Sequence, residues 1–229
     1  MKKLVLLLTA AALLGVPSAA SATNAIGGVG SPYHWAGSSN PRQITISDGV
    51  EPTSPGQASY NFAGVFTDWN TFGTGFVKLT QTTGSANITT QRGSYGNNGW
   101  LGLAQFWLRK GHFSRVRVKL NDYYQASAPQ YYTPTAAQQT LCQEVGHGLG
   151  LDHQYLIPGT DSTGISCMND QNVPPADYPD PNSHDANELS QIYQHTDVAG
   201  GRPKREAGPY VLDVIPAPGH GHASGHGSR

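Results

Sequence analysis

One stretch constrains this chain more than any other: Thr133 to His153, which reads TPTAAQQTLCQEVGHGLGLDH. Thr133 followed by Pro134 is a helix start, a capping hydroxyl ahead of a ring whose fixed φ suits the first helical position. Gly150 supplies the left-handed residue on which a helix ends. Between them Ala137, Leu141, Val145 and Gly148 fall on one side of the helix, and Gln143 and His147 fall together on the other. Two residues four apart can aim their donor atoms at one metal ion. Glu144 lies about 100° round the helix from Gln143, where it can reach a water on that ion without being a ligand. Beyond Gly150 the chain bends back, so His153 can arrive as a third donor. Gly146 and Gly148 each cost the helix about 1 kcal/mol relative to alanine, and close packing of a neighbouring segment is the expected reason.

The remaining pattern alternates strands and helices. RQITIS (42–47), FVKLTQT (76–82) and ANITTQ (86–91) carry the β-branched alternation of strands. GWLGLAQFWL (99–108) reads as a strand or edge strand. In SRVRVKLN (114–121), Val116, Val118 and Leu120 face one way and Arg115, Arg117 and Lys119 the other, a half-buried strand with a solvated basic face. Phe62, Val65, Phe66 and Trp69 recur at helical spacing within 59–71, and Leu189, Ile192 and Tyr193 do so within 184–195. Residues 23–40 read as an extended N-terminal segment. Residues 198–229, rich in Gly, Pro and His, read as a disordered tail. His220, His222 and His226 alternate there with small residues, a composition that can scavenge zinc, nickel or copper.

Lys2 and Lys3 precede an apolar run from Leu4 to Val16, and Ala20-Ser21-Ala22 forms a small-residue cleavage site. Residues 1–22 are therefore expected to be a signal peptide, which places one domain of residues 23–197 outside the cell. In that oxidising setting the two cysteines, Cys142 and Cys167, are expected to pair, which would stabilise the fold by about 3 kcal/mol through loop closure. Net charge is −1, so no basic field is offered to nucleic acid, and no later segment is long and apolar enough to span a membrane.

The segment 143–153 resembles the metzincin signature H-E-x-x-H-x-x-G-x-x-H, matching at Glu144, His147, Gly150 and His153 and departing at Gln143. Ser166-Cys167-Met168-Asn169 is similar to the methionine turn that underlies the metal site in that family. The likeness extends over residues 33–196 and is closest to exported bacterial matrixin-like proteins. It implies an α+β fold with a twisted, mostly parallel sheet, an antiparallel edge strand, an active-site helix, the Met-turn and a C-terminal helix. It also implies a monomeric zinc endopeptidase that acts on protein or peptide substrates. Zinc would be held by His147, His153 and position 143, with Glu144 as general base toward a metal-activated water. An extended substrate would pair with the edge strand near Leu101–Gln105, and residues 169–179 would form part of a pocket wall.

Gln143 offers only an amide oxygen, a weaker donor than imidazole. It can ligate through that oxygen, leave a water in its place, or mark a site without metal. Asp152 and Asp170 are alternative carboxylate ligands, and Asp152 can instead orient His153. His34, His112, His184 and His195 read as structural. The competing function is a metzincin-like pseudoprotease that binds peptides or a partner without cutting.

Overall fold

The structure is a computed structural model that describes residues 24–28, 31–52, 54–154, 165–169, 178–195, 197 and 207–213. The signal-peptide segment, Asp170, most of the expected pocket wall and the tail histidines lie outside the described residues. Among the described residues seven strands make one sheet: β1 (His34–Trp35), β2 (Arg42–Ser47), β3 (Val77–Gln81), β4 (Ile88–Gly93), β5 (Gly102–Arg109), β6 (His112–Asn121) and β7 (Ala207–Asp213). The helices are α1 (Phe62–Phe72), α2 (Pro134–Gly148) and α3 (Ser183–Tyr193), with two 3-10 turns between β6 and α2. None of them is long and apolar enough to cross a membrane.

The strand order is β3-β2-β4-β6-β5-β7, and β1 joins β6 off this path. The β2–β3, β2–β4, β4–β6 and β1–β6 pairs are parallel, while β5 runs antiparallel to both β6 and β7. The fold is thus α+β on a mostly parallel sheet. Parallel strands are covered on their faces by the connecting helices, and the core records that: Ile44, Ile46, Leu79, Ile88, Val116 and Val118 meet Val65, Trp69, Leu141, Val145 and Leu189 in one cluster. Asn61 caps α1 by accepting the Gly64 N–H, and Thr133 caps α2 by accepting the Ala136 N–H, with Pro134 at the first helical position.

Three expectations need correction. The basic face of β6 is only partly solvated, because the Arg115 guanidinium lies 4.0 Å from the centroid of the Trp107 ring and Lys119 Nζ 5.4 Å from that of Tyr95. Residues 198–229 are not all disordered, since 207–213 form β7. In consequence β5 is not the edge strand. β7 pairs along it from Leu103↔Asp213 to Leu108↔Ala207.

Candidate metal centre

Helix α2 is buried along nearly its whole length, and its last turn is built to deliver His147. Gly150, at φ 104°, closes the helix with two bonds: the Leu151 N–H reaches Gly146 O and the Gly150 N–H reaches His147 O. That pairing satisfies the orphan carbonyls of the last turn. Trp35 Nε1 donates to Gly148 O at 2.8 Å and the Tyr193 hydroxyl to Leu149 O at 2.8 Å, so β1 and α3 hold the same turn. The returning strand is tied from the other side by Ile26 N–H to Gly150 O at 3.0 Å and Asp152 N–H to Asn24 O at 2.7 Å.

The turn brings the Leu151 carbonyl back over His147, whose Nδ1 lies 2.8 Å from it. A carbonyl oxygen only accepts, so Nδ1 carries the proton and Nε2 presents its lone pair. That nitrogen faces His153 Nε2 at 2.9 Å, with the rings edge to face. Burial lowers the pKa of His147, which favours the neutral, ligating form; the Leu151 carbonyl and Asp152 oppose this more weakly. Asp152 is turned to the main chain, accepting the His153 N–H at 2.8 Å, so it fixes where His153 sits through the backbone.

Gln143 and Glu144, on the same helix as His147, are fully buried. Gln143 Nε2 donates to Asn169 O at 3.4 Å, while Gln143 Oε1 has no hydrogen-bond partner among the described residues. A buried acceptor left unpaired costs about 1–3 kcal/mol, and a cation is one way to satisfy it. The Glu144 carboxyl packs on the head of β5: a Cβ on Gly102 would lie 2.5 Å from Glu144 Oε1. Glycine at 102 is what lets the carboxyl lie flat against the strand.

Beneath α2 sits Met168, fully buried in a tight turn. A Cβ on Gly146 would come within 2.3 Å of Met168 Sδ and 2.7 Å of Trp69 Cζ2. One on Gly148 would meet Ile88 Cδ1 at 3.1 Å. Both helical glycines are therefore contact surfaces, one for the methionine turn and α1, the other for the sheet. Cys142 and Cys167 form the expected disulfide, with Cα atoms 6.0 Å apart across a separation of 25 residues. It joins the helix to the methionine turn at the residues directly preceding Gln143 and Met168.

A polar group that the sequence reading did not weigh fixes that turn. Ser166 Oγ accepts the Met168 N–H at 3.2 Å and donates to Asp185 Oδ1 at 3.1 Å. Gln154 Nε2 donates to the same oxygen at 2.7 Å. Asp185, the third residue of α3, also closes the capping box opened by Asn182, and burial raises its pKa to about 6. Asn182 and Asp185 have capping-box spacing, but nothing local tells that the carboxyl also serves Ser166.

The donor types suit zinc: two imidazole Nε2 atoms converge, and one helical turn earlier the same helix carries a buried amide oxygen without a partner among the described residues. His34, His112 and His195, taken as separate structural histidines, are instead gathered into one cluster elsewhere in the fold. His184, in the first turn of α3, lies beside Gln154 and Glu188. Neither a family model nor a curated protein matches the chain.

Proposed function

We propose that the chain is a secreted zinc-dependent endopeptidase of metzincin type. The observation that carries this is the convergence of His147 Nε2 and His153 Nε2 at 2.9 Å; one helical turn before His147, Gln143 Oε1 is buried with no hydrogen-bond partner among the described residues. His147, His153 and Gln143 would hold the ion. Bound zinc supplies Lewis acidity toward water and toward a peptide carbonyl. Glu144 acts as general base: it takes a proton from the attacking water and returns it to the leaving amine. The Leu151 carbonyl keeps His147 in the tautomer that ligates, and the disulfide keeps Met168 under the helix that carries the base.

The test is zinc content of the full chain after saturation and desalting, with peptide cleavage measured alongside. His147→Ala should lose one zinc equivalent relative to the parent, and Glu144→Ala should keep that zinc and lose cleavage. Unchanged cleavage in a clean, folded Glu144→Ala preparation would sink the mechanism.

One observation favours the second reading, a peptide-binding scaffold without catalysis. The strand edge on which an extended substrate would lie already holds the chain's own residues 207–213. Zinc retained at His147 with no cleavage by full-length or tail-less protein would select that reading.

A further inference from the structure

Away from α2, three histidines from distant parts of the chain meet at one carboxylate oxygen. His34 Nε2 lies 3.2 Å from Asp197 Oδ1, His112 Nε2 3.0 Å and His195 Nε2 3.3 Å. His34 Nε2 and His195 Nε2 are 3.1 Å apart. The four residues come from β1, the start of β6 and the segment after α3. With the rings neutral, His195 Nε2–H can donate to His34 Nε2 and His112 Nε2–H to Asp197 Oδ1, but the 3.2 Å contact between His34 Nε2 and Asp197 Oδ1 is left without a proton. His34 Nδ1 sits 2.7 Å from Pro32 O, so it must be the donor there, and in the neutral ring Nε2 then turns a lone pair toward an anionic oxygen. Burial lowers the His34 pKa and so favours that neutral ring, against the pull of Pro32 O and Asp197.

The geometry points to a second metal site, formed by His34, His195 and Asp197, that takes a divalent transition ion of the zinc type. A tetrahedral ion with bonds of about 2.0–2.1 Å spaces its ligand atoms about 3.3–3.4 Å apart, close to the 3.1, 3.2 and 3.3 Å found between these donors. Their ligand atoms all lie within 4.8 Å of one another. His112 falls outside that set and hydrogen-bonds the shared oxygen, so it positions Asp197.

The outer groups are arranged as ligands require. Asp197 Oδ2 is held by the Gly37 N–H at 2.8 Å and faces Arg42 Nη2 at 3.5 Å, which leaves Oδ1 for the ion. The Gly37 N–H on Oδ2 and the His112 ring on Oδ1 both favour the ionised carboxylate. The His34 Nδ1–H bond to a backbone carbonyl fixes its tautomer, as outer partners of metal-binding histidines do. An ion can enter from solvent, since the side chains of His195 and His112 are 43% and 26% exposed. Imidazole and carboxylate together suit zinc, and the ion would tie the end of α3 to β1.

This site does not rest on the peptidase reading, and it is tested on the full chain with zinc alone and cobalt(II) alone as probes. His195→Ala, at an exposed position, should lose one zinc equivalent and the tetrahedral cobalt absorption of that site. His147→Ala should lose a different equivalent, and the double variant both. Added zinc should raise the melting temperature of the parent by more than that of His195→Ala. Asp197→Asn, which keeps the acceptor for Gly37, should behave like His195→Ala. Full zinc content and an unchanged cobalt spectrum in both folded variants would overturn the site. The tail histidines are common to every variant and cancel in the comparison.

Discussion

Gly146→Ala adds a single carbon where the fold has no room for it. That carbon would lie 2.3 Å from Met168 Sδ and 2.7 Å from Trp69 Cζ2, well inside the 3.5–4.0 Å at which carbon atoms pack. Neither neighbour can retreat freely. Met168 follows the disulfide-bonded Cys167, and Trp69 is held by its Nε1–H to Cys142 O at 3.1 Å. Overpacking costs about 1–3 kcal/mol, and with both neighbours held the upper part of that range, about 2–3 kcal/mol, applies; alanine returns about 1 kcal/mol of helix propensity. The net expectation is a loss of about 1–2 kcal/mol, which lowers the melting temperature by roughly 2–8 °C in a domain of this size. Gly148→Ala is the control on the same helix. Its Cβ would meet only side-chain tips, Ile88 Cδ1 at 3.1 Å and Val116 Cγ1 at 3.3 Å, which can shift by tenths of an ångström. Propensity then offsets strain, and the melting temperature should stay within about 2 °C of the parent. Thermal unfolding followed by circular dichroism, at one pH with the disulfide verified, reads both. A Gly146→Ala protein at least as stable as the parent, or less harmed than Gly148→Ala, refutes the assignment of Gly146 as the seat of the methionine turn.

Ending the chain after Asp197 removes β7 and bares the outer side of β5, so an extended fluorogenic peptide should show a lower KM with kcat little changed; an unchanged KM would mean that peptides do not use β5. Burial, then the nearby Asp185, raises Glu188 to about 8, while the Asn24 N–H pulls the other way. A raised acid binds its proton more tightly when folded, so that stabilising contribution is complete below the ordinary value of 4.5 and fades as pH climbs toward about 8. Glu188→Gln should flatten the fall in melting temperature across that range, and an equal slope in parent and variant would discount the group.

Local signals carried most of the framework. Thr133-Pro134 and Gly150 bound α2, the alternation in 42–47, 76–82 and 114–121 gave strands, and the spacing of Phe62, Val65 and Trp69 gave α1, because each depends on neighbours within a few residues. The pairing of Cys142 with Cys167 followed from there being only two cysteines. What could not be read were relations between distant segments. His34, His112 and His195 share no spacing, and only the parallel β1–β6 pair with its His34↔His112 register, together with the end of α3, gathers them. The cost of Gly146 was legible and close packing was the expected reason, but which segments pack there was not, since Met168 and Trp69 reach it from either side of the sequence. β7 looked like a tail because Gly208 and Pro209 are poor strand formers; its partner β5 lies a hundred residues earlier, beyond any periodicity.

β7 also decides how the sheet ends. β5 on its own would offer a long run of unpaired backbone groups over mostly buried side chains, which is a template for joining another chain. With β7 in place the outermost strand carries Pro209, which has no N–H to give, and an irregularity where its register shifts between Phe106 and Leu108. Gly208, at φ 129°, approaches Phe106 O so closely that a Cβ would lie 2.9 Å from it. A second sheet cannot extend across such an edge without breaking step. The segment that covers β5 should therefore also hinder one molecule from adding itself to the next, and loss of the tail should show first in the state of association.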